Sequence, residues 1–171
     1  MDKKIITKLS ESALFVALIA IGGIISFPVP ISEVPFSLQI LFVLLASLIL
    51  GPIFGTITCA VYVLLGIIGL PIFAGMKAGP VVLIGPTGGY LIGFIASAPF
   101  VGTLSKKTHP LIALSTGLLI IYIIGVIQFS YIMRISFVAG IIGGALPFLP
   151  FDIFKLLIAY FVYTKLPKEL K

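Results

Sequence analysis

Charge is what this 171-residue sequence has least of. Only 9% of its side chains are Asp, Glu, Lys or Arg, against about 25% in an ordinary soluble domain. With 60% hydrophobic residues and a mean hydropathy of +1.33, it has too few polar groups to cover a water-facing surface. The composition is that of an integral membrane protein. The apolar runs are continuous and do not alternate, which argues against a membrane β-barrel. A membrane helix takes about 20 residues, so six spans would use about 120 and leave about 51 for loops and termini. A seventh would leave almost nothing to connect them.

Other scarcities exclude further classes. The single Cys59 has no partner for an internal disulfide and lies in an apolar run, where it serves packing. The single His109 has no Cys or second His to join it, so no structural zinc site is expected. The chain contains no Asn. Any recognition by a side-chain amide would therefore fall to Gln39 or Gln128, or be replaced by backbone groups. No GxxxxGK(S/T) sequence occurs, so nucleotide hydrolysis by this chain itself is not expected. The net charge of +6 does not point to nucleic acid, because the basic residues lie at the chain ends and between apolar runs. The first run follows Lys3, Lys4 and Lys8 in the manner of a signal peptide. It continues into Phe27-Pro28 without a small-residue cleavage site and reads as a retained first span.

The expected architecture is a single all-α membrane domain over residues 1–171, a bundle of six transmembrane helices. The expected spans are about 9–26, 37–50, 53–69, 90–104, 110–128 and 151–166. Pro28, Pro30 and Pro35 make the first loop an extended connection, and Gly51-Pro52 separates spans two and three. A Gly- and Pro-rich segment, 71–89, carries Lys77, and segment 129–150 holds Arg134 with Pro147 and Pro150. For the latter a short helix and a partial span both remain open. An even span count places Lys3, Lys4, Lys8, Lys106, Lys107, Lys165, Lys168 and Lys171 on one side, against Lys77 and Arg134 on the other. Eight cations against two make both termini cytoplasmic. The Pro-rich loop, the Gly-rich loop and the Arg134 segment then face outward, where all could meet over one pocket.

Asp152 and Lys155 are ionisable groups inside an apolar run, where charge is costly and usually functional. Three residues apart, they share one helix face. They could be a structural ion pair, or a polar contact point at the floor of an outward pocket that suits a small solute with both donors and acceptors. In Gly85-Pro86-Thr87-Gly88-Gly89-Tyr90 the glycines permit close approach of a ligand or a helix, and Thr87 and Tyr90 add hydroxyls. The pairs Gly89/Gly93, Gly51/Gly55 and Gly140/Gly144 have the small-xxx-small spacing of helix packing, as do Ala13 and Ala17 in the first span. Phe36, Ser37 and Gln39 open the second span. Lys77 and Arg134 read as solvated loop charges.

Four segments in this order resemble the BioY family, the biotin-specific substrate-binding (S) components of energy-coupling factor (ECF) transporters. They are Pro30-Ile31-Ser32-Glu33-Val34-Pro35-Phe36-Ser37-Leu38-Gln39, Leu70-Pro71-Ile72-Phe73-Ala74-Gly75, the Gly85–Tyr90 run, and Leu146-Pro147-Phe148-Leu149-Pro150-Phe151-Asp152-Ile153-Phe154-Lys155. The resemblance spans essentially the whole chain. It departs from the family's tighter Pro-Pro-Val-Pro loop at Ile31-Ser32-Glu33-Val34-Pro35 and by Lys77 after Phe73-Ala74, which leaves the roles of Glu33 and Lys77 open.

The resemblance implies a biotin-binding protein of a prokaryotic cell membrane, not an enzyme, with no cofactor or metal. It implies partnership with an ECF coupling transmembrane subunit and two ATPases. The implied substrate-binding set is Phe36, Gln39, Gly75, Thr87, Gly88, Gly89, Tyr90, Asp152 and Lys155, and Ala13 and Ala17 match the family's docking motif. In this set Asp152 accepts from the ureido N–H groups and Lys155 donates to the carbonyl, while Phe36 and Tyr90 suit the apolar bicycle. Lys155, Lys77 and a backbone nest all stay open for the ligand carboxylate. An S component for another vitamin is the nearest alternative. A membrane enzyme would need a fuller acid/base constellation than Asp152 and Lys155, and a channel a polar stripe that this chain lacks.

Overall fold

A computed structural model describes residues 3–30 and 32–167. Ile31 of the loop motif, and the expected cytoplasmic Lys168 and Lys171, lie outside the described residues. The chain is predominantly helical, in the order α1 (Lys3–Ile24), β1 (Ser26–Val29), β2 (Ser32–Ser37), α2 (Gln39–Ile67), α3 (Pro80–Leu83), α4 (Gly88–Leu104), α5 (Pro110–Met133), α6 (Phe137–Gly144) and α7 (Leu149–Lys165). By length and hydropathy α1 and α5 can each cross a membrane, α2 passes the same test as one apolar stretch, and α6 with α7 can cross as one span bent by 58°.

The helix α2 is not straight. Gly51 has φ 77° and ψ −174°, a left-handed conformation that L side chains resist, and Pro52 supplies no N–H to the preceding turn. A continuous helix would hold residues 39 and 62 about 34 Å apart. Instead the amide of Gln39 donates to the Tyr62 hydroxyl. A Cβ on Gly55 would also lie 2.9 Å from the Cα of Ser47. Segments 39–50 and 52–67 are therefore antiparallel and folded back at Gly51-Pro52, the break expected between spans two and three.

The all-α expectation needs one correction, in the first loop. Its extended residues pair as an antiparallel hairpin, with Ser26 opposite Ser37, Phe27 opposite Phe36 and Val29 opposite Ser32. The irregularity between Phe27 and Val29 falls on Pro28, which has no N–H to give to the ladder. The open question over 129–150 is also answered. The helix α5 continues to Met133 and ends at Arg134 in the left-handed region (φ 54°), and Ser136 then caps the short α6 by accepting from the Ala139 N–H at 3.2 Å.

The two most extensive helix pairings both involve α4, which packs against α5 on one side and α2 on the other. Gly88 and Gly89 make this close approach possible. A Cβ on Gly88 would overlap the Leu83 carbonyl, and one on Gly89 would stand 2.6 Å from the Ile124 carbonyl oxygen. The outer faces are apolar and exposed, as lipid contact requires: Leu14 and Ile21 on α1, Leu119 and Ile127 on α5, Phe154 and Phe161 on α7.

Candidate functional site

A cavity opens at the end of the bundle where β2, segment 71–89, the end of α6 and the start of α7 converge. It holds about 590 Å³ of space when the open solvent at its mouth is included. Val34, Ile40, Phe73, Val82, Leu91, Phe94 and Phe148 form its apolar walls, and Ser37, Gln39, Thr87, Tyr90, Tyr122, Asp152 and Lys155 bring polar atoms to it.

The polar centre is built from α7. Pro150 is the second residue of this helix, and Asp152 lies in its first turn, where the helix dipole favours a carboxylate. Lys155 follows one turn later on the same face. Its Nζ donates to Asp152 Oδ1 at 2.5 Å, and the Tyr122 hydroxyl of α5 donates to Oδ2 at 2.6 Å. Asp152 and Lys155 are only 1% and 4% exposed, so each charge depends on the other. The ammonium also lies 4.0 Å from the centroid of the Phe36 ring, and that ring meets Phe151 edge-on at 5.2 Å. The hairpin thus rests on α7 through Phe36.

A second network holds the loops around the cavity. The Ser37 hydroxyl donates to Gln39 Oε1 at 3.0 Å, the Gln39 amide to Tyr62, and the Tyr62 hydroxyl to the Ile72 carbonyl at 2.9 Å. Phe73 is fully buried and lies edge-on to Tyr62 at 5.7 Å. A side chain on Gly66 would overlap its ring. Segment 71–79 is therefore plugged into α2. The Gly75 N–H donates to the Ser26 hydroxyl at 2.7 Å, tying this segment to β1. Outside the lining, the Gln128 amide of α5 donates to the carbonyls of Leu83 and Gly85 at 2.6 and 2.9 Å.

Of the nine residues expected at the substrate, Gln39, Thr87, Tyr90, Asp152 and Lys155 line the cavity. Phe36 reaches it through Lys155, and Gly75 adjoins the lining residue Ala74. Gly88 and Gly89 are taken up by packing of α4 against Leu83 and α5. Tyr90 donates to the Gly144 carbonyl at 2.6 Å and so joins α4 to the end of α6. Ala13 and Ala17 lie together on the exposed face of α1, away from the cavity.

Tyr122 was not among the expected residues, although it leaves a trace in the sequence. It is the one side chain with a polar group between Thr116 and Gln128. Tyr62 and Phe73 were missed as well, since both read as ordinary apolar core. Among the described residues no group of three or more His, Cys, Asp or Glu side chains gathers to hold a metal ion.

At the opposite end of the bundle Lys8, Ser105, Lys106 and Tyr163 surround the Gly51 turn. Tyr163 is about 17 Å along α7 from Asp152. Lys8 and Lys106 therefore share the end remote from the cavity.

The BioY family model matches residues 1–171. The biotin transporter BioY of Thermotoga maritima is 42% identical over 165 residues, covering 94% of this chain and 96% of the relative. A probable biotin transporter BioY of Pyrococcus horikoshii is 40% identical over 160 residues, covering 93% and 95%. The crystal structure of an S component for biotin from an ECF-type ABC transporter superposes with a TM-score of 0.87 at 28% identity, over 99% of this chain and 97% of that one. The full-length sequence match and the shared architecture establish that this chain belongs to the BioY family.

Proposed function

We infer that this chain is a biotin-binding S component of an ECF-type transporter, which captures biotin for uptake and is not an enzyme. The observation that carries the reading is the buried Asp152–Lys155 pair in the cavity wall, in a chain whose full-length relatives are biotin transporters. Biotin's ureido group has two N–H donors and one carbonyl acceptor, which a carboxylate beside an ammonium complements. Its bicycle and tail are apolar and suit the Phe73, Phe94 and Phe148 walls.

The membrane arrangement follows from the same reading. Segments 39–50 and 52–67 count as separate spans, which with α1, α4, α5 and α7 makes six, and both termini are cytoplasmic in a prokaryotic plasma membrane. The lysines around the Gly51 turn then face the cytoplasm and the cavity faces outward. Ala13 and Ala17, small and exposed on α1, dock the coupling transmembrane subunit, through which two ATPases supply energy. Phe36, Gln39, Gly75, Thr87, Tyr90, Asp152 and Lys155 contact or surround the ligand, with Gly88 and Gly89 holding the wall behind Tyr90.

The test is calorimetry of the purified protein in detergent against biotin, riboflavin and thiamine. Saturable heat with biotin alone is expected. Binding of riboflavin or thiamine with none of biotin would reject the assignment.

A further inference from the structure

We propose that the basic cavity at the end of the bundle remote from Asp152 binds the phosphate of an anionic phospholipid, held between Lys8 and Lys106. That the lipid belongs to the cytoplasmic leaflet rests on the sidedness inferred above.

Two elements far apart in the chain bring their ammonium groups to this end. Lys8 lies on α1, and Lys106 lies in the turn between α4 and α5. Both line one cavity with Gly51, Ser105 and Tyr163, and its lining includes no carboxylate. It holds about 410 Å³ of space when the open solvent at its mouth is included. Two like charges on one wall repel, and an anion between them replaces that repulsion with two attractions.

The acid nearby offsets only part of this charge. Glu11 takes one of the three Lys8 N–H groups at 2.9 Å and leaves two. Among the described residues, Lys106 has no ion pair and no hydrogen bond from its ammonium. That ammonium lies over the Gly51 turn, 3.8 Å from where a Cβ on the glycine would stand. Segment 39–50 ends there, so a cation could serve as its cap. Lys106 donates to none of its carbonyls, which leaves the charge available to a ligand.

The rim favours a lipid over a free phosphate. Leu9, next to Lys8, and Ile53, two residues past Gly51, are 46% and 68% exposed. Apolar surface for acyl chains thus borders the two lysines, and a free phosphate has no use for it. Basic pockets between membrane helices on the cytoplasmic side suit anionic headgroups in this way.

The experiment titrates the delipidated full chain in detergent with phosphatidylglycerol, phosphatidylcholine or inorganic phosphate. Melting temperature is followed, and bound lipid is counted by native mass spectrometry. Phosphatidylglycerol should raise the melting temperature saturably and stay bound as one molecule, and the other two should do neither at the same concentration. Lys8→Gln with Lys106→Gln should weaken phosphatidylglycerol by about tenfold to thirtyfold and leave biotin affinity unchanged. Lys8→Arg with Lys106→Arg should bind it within about threefold of wild type.

An equal response to phosphatidylcholine, or to inorganic phosphate, would overturn the proposal. So would a double Gln variant that melts lower but keeps the full phosphatidylglycerol shift, the result a helix cap predicts. If that variant does not fold, Lys106→Gln alone, at an exposed position, should weaken the lipid by about fivefold, and unchanged affinity would again overturn the proposal. Failure of the sidedness reading is separately visible. Reversed cysteine labelling in cells would fault the leaflet alone, because the detergent titration has no sides.

Discussion

The Gln39 amide donates to the Tyr62 hydroxyl, joining the first turn of α2 to a residue 23 positions later. The same hydroxyl donates to the Ile72 carbonyl. One phenol therefore closes the fold-back of α2 and pins the segment that carries Phe73 into the cavity wall.

Tyr62→Phe should cost about 1–3 kcal/mol of stability, because the buried Gln39 amide and the Ile72 carbonyl both lose their partner. The loss should show as a lower melting temperature in detergent without ligand. Limited trypsin digestion should also cut faster at the exposed Lys77. Wild-type melting and digestion together would contradict the role given to this hydroxyl.

Membrane sidedness can be read by labelling intact cells in a Cys59→Ala background. A cysteine at Lys107 should react only with a membrane-permeant reagent, and one at the exposed Glu33 with an impermeant reagent as well. The reverse pattern would turn the cavity toward the cytoplasm.

Replacing Ala13 and Ala17 together with Trp should leave biotin affinity of the isolated protein nearly unchanged, since both face away from the cavity. Co-purification with the coupling subunit should be lost, because close helix approach depends on small residues. Normal assembly would remove these alanines from the interface.

The features that show in the sequence are those with large local costs. Charge in an apolar run is expensive, and this singles out Asp152 and Lys155. Gly51-Pro52 breaks a helix by backbone geometry alone, so the fold-back is visible in the sequence as a helix break. What stays hidden depends on distant partners. Phe27 and Phe36 pair across a hairpin although their prolines suggest only an extended loop. Phe73 looks like any loop aromatic until the notch at Gly66 receives its ring. Tyr122 sits in an isoleucine-rich run, and only the packing of α5 on α7 brings its hydroxyl to Asp152. The glycines of 85–89 illustrate the converse. A Gly-rich run suits a ligand and a helix neighbour equally, and Gly88 and Gly89 meet Leu83 and α5.

The central claim is that Asp152 and Lys155 bind biotin and are more than an ion pair that supports the fold. Either single replacement strands a buried charge and confounds stability with binding. The decisive measurement is therefore biotin affinity of the double variant Asp152→Asn with Lys155→Met, taken alongside its ligand-free melting temperature. Losing two charge-assisted hydrogen bonds, each worth about 1.5–3 kcal/mol, should weaken biotin by roughly two to four orders of magnitude while the protein stays folded. A folded double variant that binds biotin within about threefold of wild type, a difference under 1 kcal/mol, would contradict the account.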